Sequence, residues 1–206
     1  MYRSPSSPSS RRDRAFTVLD LLTTLAVLGL LVVFSIPSLR KIHDGLELQL
    51  AAEEVAGIMR QARQYAVVHN VHVGIKFHHD RDTGFVYMQV YRDGDGDGVR
   101  NSDIETGEDL PLAAAQPLTH VGQRVRFGFP DGPMPRTISG RGHIARRGDP
   151  IRFSRSDIAS FGPMNTATPG TVYLTDGTLR MAAVRISSRN GRLRIYNWNR
   201  GSGVWR

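Results

Sequence analysis

The first 40 residues divide into a polar, basic segment and a long apolar run. From Phe16 to Ile36 the chain carries one charged side chain in 21 residues, that of Asp20. At about 1.5 Å per residue, a helix of this length spans roughly 31 Å, the apolar thickness of a bilayer. The pattern predicts a membrane-spanning helix over residues 16–39. The arginines before it favour a cytoplasmic amino terminus.

After this run, the apolar positions recur every three or four residues and alternate with charged ones. This spacing predicts an amphipathic helix over residues 40–70, which needs an apolar surface to lie on. Pro37 removes one helical hydrogen bond, so we expect a kink at the start of this part. Asn70 is expected to end the helix.

From Val71 onward the apolar period shortens to two, as in half-buried strands. Val71 to Phe77 and Phe85 to Tyr91 form a predicted hairpin whose polar loop is His78 to Gly84. Further strands are predicted at Arg124 to Phe129, Ile151 to Ser154, Thr171 to Thr175, Arg180 to Ile186 and Leu193 to Trp198. Residues 71–206 are therefore expected to form an antiparallel β-sheet domain, and the fold class is α+β with the long helix packed on the sheet.

The amino-acid composition excludes several classes of functional site. The 206 residues include no cysteine, so disulfides, thiolate metal sites and cysteine nucleophiles are excluded. The net charge is +8, and most of the excess lies in arginines after position 123 that alternate with apolar residues, as on the solvated face of strands. Because the chain has no nucleophile turn, phosphate loop or paired-carboxylate cleft, we expect no enzymatic activity.

The single acid in the apolar run is the most informative residue. An ionised carboxylate in a membrane helix costs about 2.5 to 3.5 kcal/mol, so Asp20 implies a nearby cation or a functional role. The run itself contains no cation. Cutting the chain between Ala15 and Phe16 would create an amino terminus four residues before Asp20, which is one helical turn away.

At these positions the chain resembles the prepilins, in which a short basic leader precedes a small residue, Phe and, four residues on, an acid. Ala15 and Asp20 depart from the usual Gly and Glu. The stretch from Gly170 to Trp198 resembles the end of GspH/FimT minor pilins and pseudopilins. The resemblance implies a pilin-like fold, a leader over residues 1–15 that prepilin peptidase removes, methylation of the new terminus at Phe16, and assembly with other pilins or pseudopilins through Asp20 and Pro37.

The leading functional hypothesis is a minor pseudopilin of a type II secretion system, which assembles into a short periplasmic filament that drives protein export. The chain would cross the inner membrane once, with its carboxyl-terminal domain in the periplasm. The alternative is a FimT-like minor type IV pilin that binds DNA for natural transformation. A third hypothesis, a secreted calcium-binding domain with a cleavable signal peptide, predicts a mature terminus beyond Ser35.

An acidic segment after the second predicted strand matches the opening of a calcium loop, where alternate acids converge on one ion and a glycine permits the turn. The full motif has Glu at its twelfth position, which is Ile104 here. The other hypothesis is a glycine-rich turn with solvated acids, and the two stay open. A bound ion would brace the loop. The candidate ligands are Asp93, Asp95, Asp97, Asn101 and Asp103.

The segment Gly191 to Arg194 reads GRLR and is followed by aromatic and basic residues. Arginines among aromatics suit phosphate contacts and base stacking, and FimT-like pilins carry a similar motif, so Arg192 and Arg194 are the candidate DNA contacts. The same residues also suit an ordinary hairpin turn and strand, which is the favoured interpretation.

Overall fold

The computed structural model describes residues 17–79, 86–117, 125–140, 142–144, 149–177, 180–188, 190–199 and 202–206. The chain divides into two compact units, residues 1–42 and 43–206. The predicted leader, Ala15 and Phe16 lie outside the described residues, as does the side chain of Pro37 within the first helix.

The structure contains two helices and eleven strands in its described part. In chain order they are α1 (Val18–His69), β1 (Val73–His79), β2 (Val86–Arg92), α2 (Asn101–Thr106), β3 (Leu110–Pro111), β4 (Gln116–Pro117), β5 (Arg126–Phe127), β6 (Ile151–Phe153), β7 (Ile158–Phe161), β8 (Gly170–Thr175), β9 (Met181–Ile186), β10 (Leu193–Asn199) and β11 (Val204–Trp205).

In the first unit, the apolar side chains at the start of α1 are exposed, among them Val18, Leu25 and Leu31. Within the described residues, no helix meets both the length and the apolar character that a membrane span requires. The predicted span 16–39 begins one residue before the described part, and the side chains of residues 33–39 lie outside the description, so the span stays a prediction.

In the second unit, α1 buries a continuous stripe of mostly small side chains. These are Leu48, Ala51, Ala52, Val55, Ala56, Met59, Ala62 and Ala66. They recur at the helical period, and the many alanines allow the strands to approach the helix closely. The helix ends at His69, and Asn70 takes the left-handed conformation with φ 52°. Val71 N–H then donates to the Ala66 carbonyl over 3.1 Å, which satisfies an orphan carbonyl of the last turn.

The strands form two antiparallel sheets where the sequence predicted one. The first sheet has the order β3-β2-β1-β7, with β4 also paired to β2. The second has the order β11-β10-β9-β8-β5, with β6 also paired to β8. The α+β class with antiparallel sheets and a helix packed on them is confirmed.

The first hairpin differs from its prediction by two residues. The strand starts at Val73 and runs through His78 and His79, which the prediction had placed in the loop. His78 pairs with Tyr87 and His79 with Val86 in the register of β1 with β2. Because this pairing continues to the end of β1, both histidines belong to the sheet.

One hydrophobic core joins the helix stripe to the inner faces of both sheets. Phe77 of the first sheet lies at its centre, with its ring centroid 5.9 Å from that of Phe153 and 6.0 Å from that of Phe127, both from the second sheet. Phe77 and Phe153 are fully buried. Each fully buried side chain of this size contributes roughly 1.5–3 kcal/mol of transfer free energy.

A second, smaller cluster covers the outer face of the first sheet. It contains Tyr91, Val99 and Ile158, with Ile104 of α2 packed against them. Val99 can lie here because its partner position, Gly74 of β1, has no side chain: a Cβ at Gly74 would approach Val99 Cγ1 to 2.6 Å. This contact fixes the acidic segment that surrounds Val99 on the sheet.

Candidate functional site

The acidic segment after β2 brings three of its predicted ligands together. One carboxylate oxygen from each of Asp93, Asp95 and Asp97 lies within 4.8 Å of the others. Asp95 and Asp97 are exposed, whereas Asp93 is 6% exposed. The three acids therefore converge, as the sequence motif predicts.

Asp93 organises the turn through backbone groups. Its Oδ1 accepts N–H bonds from Asp95 at 3.2 Å and Gly96 at 2.8 Å, and its Oδ2 accepts the Gly98 N–H at 3.0 Å. Asp95 Oδ1 in turn accepts the Asp97 N–H at 3.1 Å. Backbone donors thus supply the charge compensation that a buried carboxylate needs.

A second buried carboxylate, which the sequence analysis missed, closes the segment. Asp109 is 1% exposed. Its Oδ1 accepts the Gly94 N–H at 3.1 Å, and its Oδ2 accepts the Arg100 N–H at 3.0 Å. The sequence gives only a weak indication of this role, because Asp109 lies outside the twelve-residue calcium-loop motif. The short helix α2 reverses the chain and brings Asp109 back to the turn.

The remaining two predicted ligands have other surroundings. The Asn101 side-chain oxygen accepts a hydrogen bond from the ammonium of Lys76, which is also 3.6 Å from Asp157. Asp103 Oδ1 accepts the Ser102 hydroxyl at 2.8 Å, whereas its Oδ2 is buried and has no hydrogen-bond partner. The Asn101 oxygen therefore already accepts a hydrogen bond from the Lys76 ammonium, whereas Asp103 Oδ2 has no hydrogen-bond donor.

The charges of the segment act on one another. Partial desolvation, together with the nearby carboxylates of Asp95 and Asp103, raises the pKa of Asp97, while the Arg100 guanidinium opposes this shift. Hydrogen bonding by the Asp97 backbone N–H lowers the pKa of Asp95. Arg100 also forms an ion pair with Asp97. A bound cation would have to share Asp97 with this guanidinium.

These residues fit a hard cation in part. Calcium prefers carboxylate and carbonyl oxygens at 2.3–2.6 Å, and three converging carboxylates meet that preference. Asp103 offers a further unpartnered oxygen on the same segment. Asn101 does not fit, because its oxygen already accepts from Lys76.

The predicted DNA contacts lie at the turn between β9 and β10. Arg192 and Arg194 are both exposed. The Arg192 carbonyl accepts the backbone N–H and the hydroxyl of Ser187, each at 3.0 Å, which closes the hairpin. Arg194 lies opposite Arg185 in the register of β10 with β9.

An arginine of α1, also missed by the sequence analysis, holds this turn. Arg63 donates to the Gly191 carbonyl at 2.9 Å, the Asn190 carbonyl at 3.3 Å and the Asn165 side-chain oxygen at 2.7 Å. Helix α1 therefore sets the position of the segment that carries Arg192.

The family of the chain follows from its sequence comparison. The family model of type II transport protein GspH matches residues 51–191, from the buried stripe of α1 to the turn before β10. Because the match covers more than half of the chain, the chain belongs to the GspH family. This is a structural family of pseudopilins rather than a family of enzymes. No curated protein and no solved structure matches the chain.

Replacing Asp109 by Asn should destabilise the folded chain, because two backbone N–H groups lose a charged acceptor in a buried site. We expect the free energy of unfolding to fall by about 1–3 kcal/mol, measured by chemical denaturation. The matched control is Glu105→Gln, an exposed acid of α2, which should change stability by no more than about 0.5 kcal/mol. Equal effects of the two substitutions would contradict the bracing role of Asp109.

Proposed function

We propose that the chain is a minor pseudopilin of a type II secretion system, one subunit of a short periplasmic filament that drives protein export. The match to the GspH family carries this proposal. The α1 helix, with exposed apolar side chains at its start and a buried stripe beyond residue 46, suits a subunit that is anchored at one end and globular at the other.

In this proposal, prepilin peptidase removes residues 1–15, and the new amino terminus at Phe16 is methylated. The subunit is held in the inner membrane by residues 16–39, with its β domain in the periplasm, before it joins other pseudopilins. Pro37 kinks the helix near the membrane exit. The small side chains Thr23, Thr24 and Gly29 would let neighbouring helices approach closely.

The geometry at Asp20 supports the pairing with a new terminus. The Asp20 carboxylate accepts the Thr17 N–H at 3.1 Å and the Thr17 hydroxyl at 2.8 Å, and the Thr17 hydroxyl accepts the Asp20 N–H at 3.2 Å. This reciprocal capping box holds the carboxylate at the amino end of α1, where the helix dipole favours a negative charge. A cut before Phe16 would place the new amino group beside this carboxylate or beside that of a neighbouring subunit.

Asp20→Ala should impair incorporation into filaments and leave the stability of the β domain unchanged, because the carboxylate serves assembly. Co-purification of the tagged variant with its filament measures incorporation, and thermal unfolding measures stability. Asp20→Glu, which keeps the charge one methylene further out, is the matched control and should assemble normally. Normal incorporation of Asp20→Ala would defeat the pairing.

We also propose that the acidic segment binds a structural calcium ion through Asp93, Asp95 and Asp97, with Asp103 as a fourth ligand. The convergence of three carboxylates supports the site. Arg100 already neutralises Asp97, and Asp93 is satisfied by backbone donors, so the segment is ordered before the ion binds. Such a site should be weak, with a Kd on the order of 10⁻⁴–10⁻³ M.

Calorimetric titration of the full chain in detergent, after chelation, should show one calcium site in this range. Asp95→Asn combined with Asp97→Asn should abolish the heat of binding because it removes two converging ligands. Glu105→Gln combined with Glu108→Gln removes the same charge outside the converging set and should bind calcium as the wild type does. Equal calcium affinity of the two double variants would refute the site.

The second candidate function is DNA binding by a FimT-like minor pilin. The exposure of both Arg192 and Arg194 favours it. Salt-sensitive gel shifts of the full chain with DNA, lost on Arg192→Ala with Arg194→Ala, would support DNA uptake. Retention of the shifts by that double variant would exclude these contacts. Arg126→Ala with Arg136→Ala, two other exposed arginines, is the matched control.

A further inference from the structure

The outer face of the second sheet carries a line of arginines. Arg185 of β9 lies directly opposite Arg194 of β10 and, on its other side, opposite Thr171 of β8. Thr171 in turn lies opposite Arg152 of β6. Directly paired residues project from the same face of a sheet. The neighbouring position along β9, Val184, is fully buried in the core, so the line faces outward. We call Arg152, Arg185 and Arg194 the arginine row.

The pair of Arg185 and Arg194 breaks a general rule of sheet stability. Like charges directly opposite each other on neighbouring strands destabilise a sheet, whereas an acid opposite an arginine stabilises it. Among the described residues, no ion pair joins the arginine row to a carboxylate, and the outward positions of β6, β8, β9 and β10 contain no acid. Local rules that are broken without compensation are expected at functional sites. An anion from another molecule would relieve the repulsion.

Aromatic side chains continue the same face beyond the arginine row. Tyr173 of β8 and Tyr196 of β10 lie opposite Ala183 of β9 from its two sides. Trp198 follows on β10 and pairs with Trp205 of β11. Ala183 is fully buried although it lies on the outer face, so the rings around it exclude water there. The half-exposed residues of this aromatic layer are Phe129, Tyr173, Tyr196, Trp198 and Trp205.

The composition of this face is that of a protein interface. Trp, Tyr and Arg are the residues enriched among those that dominate the binding energy of protein complexes. Stacking of nucleic-acid bases requires free ring faces, but the rings of the aromatic layer pack on one another. The ring centroid of Trp205 lies 5.4 Å from that of Trp198 and 6.1 Å from that of Tyr173, and that of Phe129 lies 5.5 Å from that of Tyr173. The face therefore suits a protein partner better than a single-stranded nucleic acid.

The spacing of the arginine row defines the acids that such a partner presents. Residues directly opposite on neighbouring strands, as Arg185 and Arg194 are, have Cβ atoms about 4.5–5.5 Å apart. Two acids at positions i and i+4 of a helix are about 5–6 Å apart, so an acid pair of this kind matches the two guanidinium groups. Burial raises the pKa of the Tyr173 phenol, and the nearby Arg185 guanidinium opposes this shift. The aromatic layer thus adjoins the row and fits apolar side chains beside the acid pair.

We propose that the arginine row and the aromatic layer together form the docking surface for a different subunit of the filament, one that presents an acid pair beside apolar side chains. The inference rests on the proposed function, in which the chain is a minor subunit and its neighbours are other proteins. Complementary charge across the contact fixes which neighbour binds and in which register. The acidic segment of a second copy does not serve as the partner, because its Asp97 pairs with Arg100.

Arg194→Glu tests the arginine row without disturbing the fold. The substitution places an acid opposite Arg185 and turns a repulsive cross-strand pair into an attractive one, so the Tm of the full chain in detergent should stay the same or rise. Docking should weaken, because the new acid pairs with Arg185 and repels the acids of the partner. A fall in Tm would contradict the unrelieved repulsion on which the proposal rests.

The matched control is Arg126→Glu. Arg126 is an exposed arginine of the same sheet and lies opposite Thr175, four residues along β8 from the arginine row. Its reversal changes the net charge by the same amount as Arg194→Glu and should leave docking unchanged.

Photocrosslinking in the assembled filament measures docking. The chain has no cysteine, so Ser187→Cys, an exposed position two residues after Arg185, accepts a single benzophenone label. Mass spectrometry after illumination should find a crosslinked peptide of another filament subunit that contains the acid pair. Adding Arg194→Glu should reduce the crosslink yield at least several-fold, whereas adding Arg126→Glu should not. Replacing one acid of the identified pair by arginine should restore yield to the Arg194→Glu chain.

A crosslink between two copies of the chain would overturn the proposal, as would equal yields with Arg194→Glu and Arg126→Glu. A label found on nucleic acid would overturn it and assign the row to DNA instead. Labelled chains that enter the filament but give no crosslink above the unilluminated sample would refute the docking surface and leave the proposed function standing. Chains with an unaltered row that never enter a filament would refute the proposed function, and this inference with it.

Discussion

The packing of the amphipathic part of α1 on two sheets is the constraint on which the rest of the structure depends. The helix contributes a stripe of buried small residues, including Ala51, Ala52 and Ala56, and each sheet contributes an inner apolar face to the same core. Each of these three surfaces is buried only when the other two pack against it. Each fully buried large side chain contributes roughly 1.5–3 kcal/mol of transfer free energy. Without the helix, the inner faces of the sheets would be exposed to water and this contribution would be lost, so the core requires the helix.

Because the inner faces of both sheets are buried in the core, the charged side chains lie on the outer faces. Gly74 of β1 leaves room for Val99, which docks the acidic segment on the outer face of the first sheet. The second sheet displays arginines outward from β6, β9 and β10. Arg63 links the buried helix to the turn that carries Arg192. The core thus fixes the relative positions of both charged surfaces.

Local patterns in the sequence predicted the parts of the fold that depend on local contacts. The helical period located the buried stripe, and Asn70 ends α1 as expected from the break in that period. The sequence did not reveal the pairing of β7 with β1, because the partners lie about 80 residues apart and no local signal reports them. For the same reason one sheet was predicted where two form. Asp109 and Arg63 act through contacts distant in sequence, so the motif alone could not identify them.

In the proposed function, the chain is processed so that the charge of Asp20 gains a cation beside it. Mass spectrometry of the intact protein recovered from assembled filaments tests this most directly. We expect a chain that begins at Phe16 and carries one added methyl group. A chain that retains residues 1–15, or that begins beyond Ser35, would contradict it.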